Sequence, residues 1–118
     1  MTSSVDSYVT ICSYDDLIPG RGVAALVDGR QIALFRLYDG SVYAVSNLDP
    51  FSGAYVLARG LVGTHQGTPT VASPMYKQRF DLRTGRCLDT DEVSITVYPV
   101  RVHDGQIEIS VEAARNVA

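Results

Sequence analysis

Three Asp-Gly pairs, Asp28-Gly29, Asp39-Gly40 and Asp104-Gly105, each lie between runs of strand-forming residues. A two-residue hairpin turn needs positive φ at its central positions, which glycine accepts freely and aspartate tolerates, so each pair predicts an antiparallel hairpin. The first two join 23–27, 31–37 and 41–46 into a three-stranded meander, and the third joins 94–102 to 106–111. Within 41–46, Val42, Ala44 and Ser46 face one way while Tyr43 and Val45 face the other. In the last strand Ile107, Ile109 and Val111 alternate with Gln106, Glu108 and Ser110, the period-2 pattern of one buried face. An opening strand at 8–12 joins one of these sheets. Ser13 caps a single helical turn over 13–17, with Asp15 and Asp16 at its positive end and Pro19-Gly20 as its stop. No long helix is expected elsewhere, and the tail at 112–118 extends a helical turn or frays.

The stretch from about 47 to 90 has a different texture. It holds Pro50, Gly53, Gly60, Gly63, Gly67, Pro69, Pro74 and Gly85, with short strand-like runs only at 69–73 and 79–82. Two strand-rich flanks around a loop-rich insert predict one all-β domain over 1–118, a β-sandwich or partial barrel carrying a smaller inserted subdomain at roughly 47–90. With 118 residues, 46% of them apolar, one core is within reach without metal or disulfide staples.

Several classes of function are excluded. A net charge of −3 and seven scattered tyrosines (8, 14, 38, 43, 55, 76 and 98) offer no basic, aromatic-studded face for nucleic acid. No apolar run exceeds about five residues, where crossing a bilayer takes about twenty, and the first residues carry no basic leader. A cytoplasmic protein that does not cross a membrane is expected. No G-x-S-x-G, H-E-x-x-H or G-x-G-x-x-G is present, and Gly20-Arg21-Gly22 is a turn. Cys12 and Cys87 are too few for a disulfide scaffold or a four-cysteine metal site, and whether they meet each other is a matter of geometry. His65 and His103 read as exposed turn residues.

Two Pro-containing loops at strand ends stand out: Asn47-Leu48-Asp49-Pro50-Phe51-Ser52-Gly53-Ala54, and Ala72-Ser73-Pro74-Met75-Tyr76-Lys77-Gln78, which runs on into Arg79-Phe80-Asp81-Leu82-Arg83-Thr84-Gly85. Here the sequence resembles the Rieske iron–sulfur domain, whose first loop reads C-P-H and whose second reads C-P-x-H before a strand of the form R-F-D-x-x-T-G. The resemblance covers roughly 9–109 and implies that fold. Its four ligand positions, two Cys and two His in the family, correspond to Asp49, Phe51, Ser73 and Tyr76. Phenylalanine cannot coordinate iron, and the other three offer oxygen where the cluster needs thiolate and imidazole.

The strings Leu34-Phe35-Arg36-Leu37, Asp49 to Ala54, Gly60-Leu61-Val62-Gly63 and Ala72 to Gln78 are similar to a ligand-free group within that fold, the small subunits of assimilatory NAD(P)H-dependent nitrite reductases. The resemblance implies a chain without its own cofactor or catalytic residues, inactive alone. It implies a partner large subunit carrying FAD, an iron–sulfur cluster and siroheme that reduces nitrite to ammonium, with this chain as a structural or regulatory subunit. In place of the cluster, Phe51 and Tyr76 are expected to pack across the gap and clamp the loops together. Two other readings stay open: an electron carrier with a noncanonical metal on Asp49, Ser73, Tyr76 and His65, and a free-standing β binding module.

Lys77, Arg79, Arg83 and Arg86 form a local basic stripe. They are candidates for docking the large subunit or the phosphates of its cofactor. The alternative is a solvated face balanced by Asp89, Asp91 and Glu92.

Overall fold

Ile32-Ala33-Leu34-Phe35 is an unbroken apolar run, and in a strand its members point alternately to opposite faces, so a strand built on it must be buried on both sides. It lies in β3 (Arg30–Arg36), where all four residues are inaccessible to solvent. The computed structural model describes residues 7–115, so the expectations for the leader at 1–6 and for 116–118 lie outside the described residues. β3 sits between β2 (Gly22–Val27) and β4 (Val42–Ser46) in antiparallel register, and β8 (Val97–Tyr98) adds beyond β4.

Two other sheets cover this one. β1 (Val9–Ser13), β10 (Gln106–Ile109) and β9 (Val100–His103) pair in the order β1-β10-β9. β5 (Leu61–His65), β6 (Thr68–Ala72) and β7 (Arg79–Asp81) form the third sheet in chain order. One core gathers Ile32, Leu34, Ala44, Tyr98, Ile107 and Ile109 between the central and terminal sheets. The other gathers Ala33, Phe35, Val45, Val71, Phe80 and Leu82 between the central and third sheets. The architecture is nearly all-β and Rieske-like, an open stack of sheets that does not close into a barrel. Alternation in β4 is as the pattern required, with Ala44 in one core and Val45 in the other.

The turns follow their chemistry with one exception. Asp28-Gly29 and Asp104-Gly105 have positive φ at both positions and close two-residue hairpins. Asp39-Gly40 belongs to a wider connection in which Asp39 keeps a negative φ and its carboxyl accepts from the Ser41 amide (2.9 Å) and hydroxyl (2.6 Å). Those two hydrogen bonds hold Asp39 below the ordinary carboxylate range, the Ser41 hydroxyl first and its amide second. A two-residue turn that sequence reading passed over is Gln66-Gly67, which joins β5 to β6.

Residues 94–102 are not one strand. Pro99 has no amide to donate, and the chain changes sheet there, β8 pairing with β4 and β9 with β10. The carbonyl of Pro99 accepts from the Ser110 amide instead, at 3.1 Å. The start of the tail is not helical: Arg115 exchanges two backbone hydrogen bonds with Val97. Ser13 caps a 3-10 turn over Tyr14–Asp16 as its position implied, with the Asp16 carboxyl returning to the Ser13 amide, and a second 3-10 turn spans Leu57–Arg59. Cys87 is buried in one core and Cys12 packs against the other, so they are separate free thiols. His103 ends β9 beside Asp104, its Nε2 at 3.4 Å from that carboxyl.

Gly85 shows where the fold is least tolerant. Its φ is +83°, its amide donates to the Asp81 carbonyl (2.7 Å), and an added Cβ would run into the Ile95 carbonyl oxygen. Gly67 has a similar φ of +82° with open space around it. Gly67→Ala is expected to cost about 1 kcal/mol, the conformational penalty alone, and Gly85→Ala about 3 kcal/mol. Urea unfolding of the two variants, with unchanged slope, measures the difference.

Candidate functional site

The two Pro-containing loops leave the ends of β4 and β6 and meet. Asn47, the first residue after β4, is 3% exposed and ties its loop to the exit, its Nδ2 donating to the Tyr55 carbonyl (3.2 Å) and its Oδ1 accepting from the Ala58 amide (2.7 Å). Asp49 then folds the loop around its own carboxyl. Oδ1 accepts from the Phe51 amide at 2.9 Å and Oδ2 from the Ser52 hydroxyl at 3.1 Å. The Gly53 amide closes on the Asp49 carbonyl at 2.8 Å.

Ser73 does the same for the second loop. Its Oγ accepts from the amides of Met75 (3.1 Å) and Tyr76 (3.3 Å), and its carbonyl accepts from the Lys77 amide (3.0 Å). The Ser73 hydroxyl donates across to Asp49 Oδ2 at 2.5 Å, with both residues sealed from solvent. A serine hydroxyl has one hydrogen to give and two lone pairs, and here all three are used. The carboxyl has three neutral donors, the arrangement that a polar group with no access to water requires.

This pair corrects the expected clamp. Tyr76 is 57% exposed and Phe51 packs sideways on Phe80, ring centroids 6.1 Å apart, within the core below. The aromatics do not bridge the loops, because a short carboxyl–hydroxyl bond already closes the gap that they were to fill.

The four positions do not suit a [2Fe-2S] cluster. Two are locked to each other by a hydrogen bond, one is a hydrocarbon ring and one points to solvent, and none offers sulfur or imidazole. Of the residues of the noncanonical metal reading, Asp49 and Ser73 meet but are bonded to each other, and Tyr76 is exposed. His65 ends β5, where its Nδ1 is 3.1 Å from an Arg79 guanidinium nitrogen. Among the described residues, no three His, Cys, Asp or Glu side chains form a metal-binding group. Cys12 is no better a nucleophile, since burial, and then the Asp16 carboxylate, push its thiol pKa up.

The basic stripe is divided. Arg79 is half-buried and bound to Asp89, amide to Oδ2 at 2.8 Å and Nη2 to Oδ1 at 3.1 Å. These contacts, the amide first and the guanidinium second, hold the Asp89 carboxyl below its ordinary range. Arg83 is exposed, with Thr68 Oγ1 at 3.1 Å and Asp81 Oδ1 at 3.5 Å. Phe80 and Leu82 face the core, and Asp81 between them is also buried, its Oδ1 accepting from the Arg83 amide at 2.8 Å. Lys77 and Arg86 are exposed, and Lys77 has a φ of 70° where the second loop turns back toward β7.

Asn47 is the site residue that sequence reading missed. The signal for its neighbours was present, since Asp-Pro and Ser-Pro both start turns in which the first side chain accepts from amides two and three residues on.

Comparison with known proteins agrees with the fold. The family model described as Rieske-like [2Fe-2S] domain matches residues 7–110. The nitrite reductase (NADH) small subunit of Salmonella typhimurium is 46% identical over 106 residues, covering 89% of this chain and 98% of that one. The nitrite reductase [NAD(P)H] large subunit of Klebsiella oxytoca is 47% identical over 97 residues, which are 82% of this chain and 10% of that much longer one. The crystal structure assigned as an NADH-dependent nitrite reductase small subunit from Mycobacterium tuberculosis superimposes with a TM-score of 0.87 at 52% identity, covering 98% of this chain and all of that one.

Ser73→Ala removes the bridge and orphans the Met75 and Tyr76 amides, and is expected to destabilise by about 2 kcal/mol. A double-mutant cycle with Asp49→Ala is expected to show a coupling of about 1–3 kcal/mol. Additive losses in denaturant titrations would mean that the loops are held by other contacts.

Proposed function

The chain belongs to the Rieske-like [2Fe-2S] domain family, among the small subunits of NADH nitrite reductase, and from that premise we propose that it is the non-catalytic subunit of an NAD(P)H-dependent nitrite reductase serving nitrogen assimilation. The observation that carries the proposal is its similarity to the Salmonella small subunit along almost the whole of both chains. The large subunit, in this reading, carries FAD, an iron–sulfur cluster and siroheme and reduces nitrite to ammonium in the cytoplasm. This chain docks on it as a structural or regulatory partner. The Klebsiella large subunit supports the pairing, because it includes a region similar to this chain within its own polypeptide.

The chain's residues suit a rigid docking body. The Asp49–Ser73 bond fixes both loops without a metal, and residues 47–90, proposed to act as an inserted subdomain, place Lys77, Arg83 and Arg86 on the outside. Those three cations, with Arg79 contributing less because Asp89 shares its charge, form the proposed electrostatic contact.

Co-expression with its large subunit, followed by assay of nitrite-dependent NAD(P)H oxidation, tests the reading. The chain is expected to co-purify and to raise turnover or stability of the complex while being inactive alone. No co-purification together with unchanged activity would refute it. Reversing both Arg83 and Arg86 to Glu is expected to weaken the complex about tenfold at low salt, a difference that shrinks as salt is added.

A further inference from the structure

Among the described residues β5 is an edge strand, and the usual guards of an edge are missing from it. Natural sheet edges are protected by lysine, proline, bulges or a covering segment. Leu61-Val62-Gly63-Thr64-His65 has no Lys, Arg, Asp, Glu or Pro, and its register with β6 runs unshifted from Leu61↔Ala72 to His65↔Thr68. The opposite edge of the same sheet is covered, the Leu88 amide donating to the Arg79 carbonyl and the Asp81 amide to the Arg86 carbonyl, both at 2.8 Å. β2, the edge of the central sheet, lies against the second 3-10 turn, where the Ala58 carbonyl crowds Gly22.

The free groups on β5 can be identified. His65 and Thr68 close a two-residue hairpin and are therefore a hydrogen-bonded pair, so Thr64 and Val62 belong to the alternate pairs whose amides and carbonyls point away from β6. Pro69 opposite Thr64 agrees, since it has no amide to give and its carbonyl is taken by Leu82 at 3.0 Å. Val62, Gly63 and Thr64 also line a groove of about 500 Å³, together with Leu37, Asp39, Tyr43 and Arg83. An open row of main-chain donors and acceptors thus borders a groove of mixed character, in which Leu37 and Tyr43 are joined by an acidic residue, Asp39, and a basic one, Arg83.

We propose that this edge takes up an extended segment of the nitrite reductase large subunit as an added β-strand, with alternate side chains entering the groove that Tyr43, Asp39 and Arg83 line. The proposal rests on the large-subunit reading above. The Klebsiella chain favours that occupant over a second copy, because there a homologous region shares one polypeptide with the large subunit. Main-chain pairing supplies affinity and the groove supplies selectivity.

Amide exchange of the full chain, free and with its large subunit, tests this directly. Val62 and Thr64 amides are expected to slow about tenfold or more in the complex. Thr64→Pro removes only an outward amide and is expected to weaken binding about tenfold, while Thr64→Val, which keeps it, binds as wild type. Should Thr64→Pro unfold, Leu61→Lys at the 72% exposed edge position is expected to weaken binding similarly. A complex that forms with unchanged exchange at 62 and 64 overturns the edge proposal and leaves the subunit reading standing. Failure of the wild-type chain to bind its large subunit overturns both. Protection of these amides that grows with the concentration of this chain alone assigns the edge to a second copy and overturns the proposal.

Discussion

The hydrogen bond from Ser73 to Asp49 is the contact on which the loop-rich half of the molecule depends. It directly joins two buried residues 24 positions apart at the point where the two loops meet. Each partner first organises its own loop and then reaches across, so the local turns and the long-range bridge reinforce each other. A structural metal would have supplied the same cross-link through ligand bonds. Here oxygen chemistry supplies it, and the loops keep the prolines and glycines that suit a metal site.

Beneath the loops, the central sheet sets the frame. β3 is buried on both faces, and its neighbours carry the third and terminal sheets on opposite sides. The third sheet hangs on this frame through Val71, Phe80 and Leu82, so the loops at the ends of β4 and β6 meet because their strands pack on either side of one core.

Much of this was legible in the residues. Asp-Gly pairs, period-2 alternation in β4 and β10 and the Ser13 cap located most strands and the first helical turn. β5 was missed because Leu61 to His65 is mostly exposed and holds a glycine, so neither alternation nor a buried run marks it. The strand at 94–102 failed at Pro99, where the missing amide should have signalled a break. In the site, the two loops and the turns that Asp49 and Ser73 start were readable from the motifs, but the aromatic clamp was wrong. It treated the gap as an apolar void to be filled, whereas Asp49 and Ser73, once buried, had to find each other. Asn47 escaped because a lone asparagine at a strand end has no spacing to give it away.

The two-faced burial of β3 also shapes how the protein can change over generations. Leu34 and Phe35 are adjacent in the chain yet answer to different neighbours, Leu34 to the core with Ile107 and Ile109, Phe35 to the core with Val71 and Phe80. A volume change at one is compensated on one side of the sheet and is invisible on the other. Covariation across homologues should therefore skip from residue to residue along β3, linking each position to partners about 35 to 75 places away and leaving chain neighbours statistically independent.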